Sequence, residues 1–166
     1  MKIVFSLLLL LTLFSNAQEK MFKLQTILDK NITAQPKESI IFDKYRDDVL
    51  FIVFFGHNCK ACLKEIPTLK KLVNKEKYKH LKILAFDIHG YNKEALKKFK
   101  KEHKINYPLL TRGDNREFIN YIKVKTKWRG TLPFLLVFDK SGEPKLAHSG
   151  ALSLEQFDKI YNGLNN

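Results

Sequence analysis

Apolar residues fall along this chain in two kinds of run. Val49 to Phe55 (VLFIVFF) is continuously apolar, the pattern of a strand covered on both faces and therefore central in its sheet. Gly56-His57-Asn58 breaks the run. Leu63, Ile66, Leu69, Leu72 and Val73 then recur at helical spacing and predict a helix to about Tyr78. Leu81 to Ile88 (LKILAFDI) predicts a second buried strand, and Glu94 to His103 a second helix with Ala95, Leu96 and Phe99 inward. Upstream of both, Phe22 to Ile27 predicts a short strand.

After the short segment Tyr107 to Leu110, Asp114-x-x-Glu117 is a capping-box pattern that predicts a helix through about Ile122, followed by a basic loop. Phe134 to Phe138 (FLLVF) is another apolar strand. Asp139-Lys140-Ser141-Gly142 supplies turn chemistry, and Lys145 to His148, following Pro144, returns as an antiparallel partner. Ser153-x-x-Gln156 caps a last helix with Phe157, Ile160, Tyr161 and Leu164 on one stripe. With no internal repeat and no linker, this order of elements predicts one α/β domain with a mixed sheet.

The N-terminus reads differently. Lys2, the apolar run Ile3 to Phe14 and the small residues of Ser15-Asn16-Ala17 form a secretory leader, with the cut placed after Ala17. The run is shorter than the roughly 20 apolar residues of a membrane span, and no cysteine follows it for a lipid anchor. The expected domain is therefore 18–166, delivered to an oxidising compartment. Of 166 residues, 30 are Lys or Arg against 17 Asp or Glu, a formal charge of +13. Much of the excess, Lys70, Lys71, Lys75, Lys77 and Lys79 and again Lys97, Lys98, Lys100, Lys101 and Lys104, is interleaved with apolar residues at helix spacing, so it marks wet helix faces. Export removes a nucleic-acid partner from consideration.

With two cysteines, a multi-disulfide scaffold and a four-cysteine zinc site are both excluded. Cys59-Lys60-Ala61-Cys62 sits where the central strand ends and a helix begins. There the unpaired backbone N–H groups and the macrodipole favour a thiolate at Cys59, and Lys60 adds a positive charge. Cys62, one turn on, points back toward the same end, close enough to form a disulfide with Cys59. A structural disulfide across so tight a loop would remove little chain entropy. A metal site recruiting His57 as His-x-Cys-x-x-Cys lacks a fourth ligand at recognisable spacing, and haem attachment would need His where Leu63 stands. Redox exchange is the reading that uses the pair best.

Cys59-x-x-Cys62-x-x-Glu65-x-Pro67-x-Leu69, preceded by an apolar strand, resembles the TlpA/ResA-type branch of thioredoxin-like proteins, the exported thiol-disulfide oxidoreductases. Pro67 matches the proline within that family's first helix, Thr131-Leu132-Pro133 falls where thioredoxin folds carry a cis-proline, and the Asp139 to Gly142 turn matches the family's hairpin. Val53 stands where ordinary thioredoxins have a buried Asp. The resemblance implies a thioredoxin fold with helices on both faces of a central mixed sheet. It implies Cys59 as nucleophile, Cys62 as resolving thiol, Glu65 as manager of their protons, and Pro133 with the backbone of Leu132 as the substrate groove; by spacing alone Glu65 shares a helix face with Cys62 and reads equally as a solvated surface residue. Asn58 in place of the family's Trp, and Leu132 in place of its Thr, make the docking surface this chain's own. His57 and Lys60 are candidate modulators of the thiol, though an exposed loop histidine commonly has no partner. Trp128 either covers the groove or packs in the core.

By the same resemblance the protein needs no metal or organic cofactor and acts as a monomeric disulfide reductase on protein substrates. Cytochrome c maturation is the implied setting, with regeneration by a membrane thiol-transfer protein. A disulfide oxidase or isomerase is the enzymatic alternative, and a copper chaperone using Cys59, Cys62 and His57 the non-enzymatic one.

Overall fold

The computed structural model describes residues 20–37 and 39–164, so the leader 1–17, its cut after Ala17 and the domain start at Gln18 lie outside the described residues. Five strands form the main sheet: β4 (Val49–Phe55), β5 (Leu81–Asp87), β6 (Leu109–Thr111), β7 (Phe134–Phe138) and β8 (Pro144–Ser149), in the order β6-β5-β4-β7-β8. β4, β5 and β6 are parallel, while β7 and β8 run antiparallel, so the sheet is mixed as expected. A second, three-stranded antiparallel sheet is made of β1 (Phe22–Gln25), β2 (Asn31–Pro36) and β3 (Ile40–Phe42).

The continuous apolar run of β4 is explained by what covers it. Val49, Phe51, Val53 and Phe55 join one core with α1 (Lys60–Val73), α2 (Lys93–Glu102) and α4 (Leu154–Leu164). Leu50, Ile52 and Phe54 face the other way, into a core shared with α3 (Arg116–Thr126), Trp128 and the small sheet. The period-two alternation of a strand splits one apolar run between two cores. Among the described residues no helix is long and apolar enough to cross a membrane.

Several boundaries differ from the sequence-based expectation. The strand expected over Phe22 to Ile27 stops at Gln25; Thr26 forms an isolated bridge with Leu110, and the Ile27 N–H donates to the Leu109 carbonyl at 3.0 Å, tying the two sheets. α1 ends at Val73 rather than Tyr78. Tyr78 instead closes a short 3-10 turn, stacks edge-on against Tyr161 and donates its hydroxyl proton to Asp158 at 2.7 Å. α3 runs on to Thr126, and Asp114 does not cap it. The Asp114 carboxylate accepts from the Thr111 hydroxyl at 2.7 Å, and the Asn115 side chain at the cap position is spent on bracing β1 through the Gln25 N–H and carbonyl.

Two turns fold as their residues dictate. In the β7–β8 hairpin, Asp139 Oδ1 accepts from the Ser141 N–H at 2.9 Å and the Glu143 N–H at 3.0 Å, and Gly142 takes φ 82°, where a Cβ would meet the Ile40 carbonyl oxygen at 2.7 Å. At the start of α4 the capping box is reciprocal: the Gln156 N–H donates to Ser153 Oγ at 3.2 Å and the Ser153 N–H to Gln156 Oε1 at 2.8 Å. Ser153→Ala is expected to cost about 1 kcal/mol and lower Tm by roughly 2–4 °C, as read by thermal unfolding of the oxidised protein.

Candidate active site

β4, β5 and β6 are parallel and β7 antiparallel to them, so the carboxyl ends of the first three and the start of β7 share one edge of the sheet. Phe54 pairs with Phe134, which places Pro133 beside the point where the chain leaves β4 for Gly56 and the CxxC motif. The Leu132–Pro133 peptide is cis. Pro133 is buried and Leu132 half-buried, touching both cores. Trp128 does not cover this edge. It stacks on Phe134 at 4.8 Å and packs on Phe54 at 4.9 Å, while its indole N–H donates to the Thr131 carbonyl at 2.9 Å and fastens the segment leading to Pro133.

Cys59 and Cys62 are joined in a disulfide with Cα atoms 5.2 Å apart. Cys59 is the N-cap of α1, its sulfur accepting from the Cys62 N–H at 3.2 Å, so the first helical turn supplies the N–H group that an anionic sulfur there would use. Cys59 is half-buried and Cys62 only 3% exposed, so Cys59 carries the more accessible of the two sulfurs. Lys60 is exposed beside it, and Pro67 lies inside α1, where its missing N–H removes one intrahelical bond. Val53 is buried in the apolar core.

The acid at this site comes from the helix. Glu65 is 6% exposed, not a solvated surface residue, and burial pushes its carboxyl up to about 7 against the opposing hydrogen bond from the Leu152 N–H, 2.8 Å from Oε1. Spacing of three places it on the face of α1 that carries Cys62. The Leu152 segment continues the link: the Gly150 N–H donates to the Pro133 carbonyl at 2.8 Å, so one short stretch ties Glu65 to the cis-proline. Tyr107 lies near enough that the Glu65 charge, after burial, pushes its phenol up.

The turn before Cys59 is equally built. Gly56 lies under the His89 ring, which a Cβ there would strike, and Asn58 Oδ1 is hydrogen-bonded to His89 Nδ1. His57 is not a partnerless loop residue. Its ring is half-buried, its Nδ1 stands 3.2 Å from Asp87 Oδ1, and it stacks face to face on Tyr91 with centroids 3.4 Å apart. The copper reading needed this imidazole as a third ligand. Among the described residues no three His, Cys, Asp or Glu side chains are grouped to hold a metal ion. Nothing near Gly56 in the sequence points to Asp87; the one hint is a carboxylate directly after the apolar stretch Ile83 to Phe86.

A mixed sheet with helices on both faces, a CxxC disulfide at a helix N-terminus and a cis-proline at the same sheet edge define a thioredoxin-fold protein. The chain belongs to the AhpC/TSA family, which it matches over residues 17–145. It is similar to the protein named thiol-disulfide oxidoreductase ResA of Geobacillus kaustophilus, 28% identical over 115 residues that make up 69% of this chain and 62% of the relative. A Bacillus cereus protein of the same name is 29% identical over 109 residues, 66% of this chain and 59% of that one. The chain thus spans about three fifths of the length of these curated relatives. Among solved structures, StoA from Bacillus subtilis superposes with a TM-score of 0.63 at 16% identity, covering 85% of this chain and 96% of that one. A protein described as a putative thiol:disulfide interchange protein DsbE from Chlorobium tepidum gives 0.63 at 15% identity, covering 89% and 95%. These structures share the fold.

Proposed function

We propose that the chain is an exported thiol-disulfide oxidoreductase that reduces disulfides of protein substrates in the periplasm, in the setting of cytochrome c maturation, and is regenerated by a membrane thiol-transfer protein. The observation that carries the reaction is the Cys59–Cys62 disulfide at the N-terminus of α1, beside Leu132–Pro133 and on the helix face of buried Glu65. The ResA relatives, named as thiol-disulfide oxidoreductases, support the same class. The leader Lys2 to Ala17 supports export.

In the dithiol form the Cys59 thiolate attacks one sulfur of a substrate disulfide, forming a mixed disulfide and releasing one substrate thiolate. Cys62 then gives up its proton and attacks Cys59, closing the protein's own disulfide and releasing the second. The substrate gains two electrons and two protons. Glu65, on the Cys62 face with its carboxyl near 7, takes the Cys62 proton and hands it on. Leu132 and Pro133 line the groove that aligns the substrate, and no metal or organic cofactor takes part.

Equilibration with glutathione mixtures tests the direction. A reductase is expected to have a potential of about −200 mV or lower, whereas a value near −120 mV would make the protein an oxidant and overturn the reductase assignment.

A further inference from the structure

Asp87 ends β5 on the edge that carries the cysteines, and the exchange steps make no use of it. The residue is 0% exposed, and neither lysine nor arginine is paired with it among the described residues. Oδ1 accepts from the His57 N–H at 3.1 Å and the His89 N–H at 3.4 Å. Oδ2 accepts from the Gly90 N–H at 3.1 Å and the Tyr91 N–H at 2.8 Å. The His57 ring Nδ1 stands 3.2 and 3.3 Å from the two oxygens, and because a carboxylate only accepts, Nδ1 is the donor.

Both oxygens are thus committed to N–H groups of two different loops. Asn has the same shape but would turn an NH2 group toward one set of donors, so a carboxylate is required here. One loop, 88–91, follows β5. The other is the turn 56–58 that delivers Cys59, whose own N–H is bonded to the Gly56 carbonyl at 3.0 Å. The His57 ring is clamped between the carboxylate and the Tyr91 face at an interplanar angle of 5°, with His89 edge-on at 5.9 Å. The turn that sets the Cys59 sulfur against the Cys62 N–H is therefore anchored through His57, two residues before Cys59, on the buried Asp87 carboxylate.

We infer that Asp87, acting through His57, is a positioning residue for Cys59. This rests on the reading of Cys59 as the exchanging thiol. Once the disulfide is reduced, the first helical turn stabilises the Cys59 thiolate while its sulfur stays beside the Cys62 N–H. A turn fixed by Asp87 and His57 keeps it there; a loosened turn lets it drift, which lowers the thiolate fraction and favours the disulfide over the dithiol.

The reduced protein is alkylated with iodoacetamide at pH 7, modification of Cys59 is followed by mass spectrometry, and the glutathione equilibrium is measured in parallel. Asp87→Asn and His57→Gln are each expected to slow alkylation about tenfold and shift the equilibrium about tenfold toward the disulfide, a potential about 30 mV more negative. The double variant should be no slower than the slower single variant, because the two residues act as one unit. Effects that multiply in the double variant overturn the proposal, as does an Asp87→Asn protein that loses thermal stability while keeping the wild-type rate and equilibrium. Should Asp87→Asn fail to fold, His57→Gln carries the test alone, since it keeps the backbone bond to Asp87, and an unchanged alkylation rate there is fatal. Alkylation needs no protein substrate, so a wild-type protein that fails to reduce insulin disulfides would discredit the oxidoreductase reading separately.

Discussion

Cys62→Ser is expected to turn the protein into a trap that stays covalently bound to its substrates. Cys59 is half-buried at the cap of α1 and Cys62 is 3% exposed beneath it, so an incoming disulfide meets Cys59 first. Exchange passes through a mixed disulfide, which the second thiol normally resolves. Without Cys62 the first step proceeds and the second does not. Covalent complexes with exported proteins should accumulate, visible on non-reducing gels and lost on adding thiol, and turnover should fall to the uncatalysed level. Cys59→Ser should also abolish turnover but trap little, because the remaining sulfur is buried. Mass spectrometry of the trapped proteins tests the cytochrome c setting. If Cys59→Ser trapped substrates and Cys62→Ser did not, the roles of the two sulfurs would be reversed.

The parts of this site legible in the sequence are those that local chemistry decides. Val49 to Phe55 reads as a doubly covered strand because both of its faces are apolar, and the CxxC pair follows it directly, so the cap position of Cys59 needs no long-range information. Ser153 and Gln156 are also local, and they pair reciprocally. What tertiary contacts decide was not legible. β2 and β3 carry only Ile32, Ala34, Ile40 and Phe42 as buried residues on short strands, the first ending in Pro36, too weak a period to stand out until the larger sheet covers them. Asp114 has the right spacing for a capping box, but Thr111 claims it. The partner of His57 lies 30 residues away on the neighbouring strand, and no pattern near Gly56 announces it. Glu65 reads from spacing as a neighbour of Cys62 or as a solvated residue with equal ease; the segment around Leu152, 87 residues on, is what buries it.

That burial has a measurable consequence for stability. In the unfolded chain Glu65 titrates near its ordinary 4.5, whereas in the fold burial raises it to about 7. Between those values the native state holds a proton that the unfolded state has released, so the native state loses stability as pH rises through the window, by about 1.4 kcal/mol per pH unit. Across the whole shift the loss approaches roughly 3 kcal/mol, complete above the folded value and absent below the unfolded one. Gln at this position accepts the Leu152 N–H bond without titrating. Denaturant unfolding of the oxidised proteins, in which neither cysteine ionises, should therefore show Glu65→Gln close to wild type at pH 4 and more stable by up to about 3 kcal/mol at pH 8. The same substitution should slow exchange near pH 7 despite the gain in stability, because a stable amide cannot take the proton that Cys62 must lose. Parallel stability profiles for the two proteins would show that Glu65 ionises freely in the fold, and its part in moving the Cys62 proton would go with them.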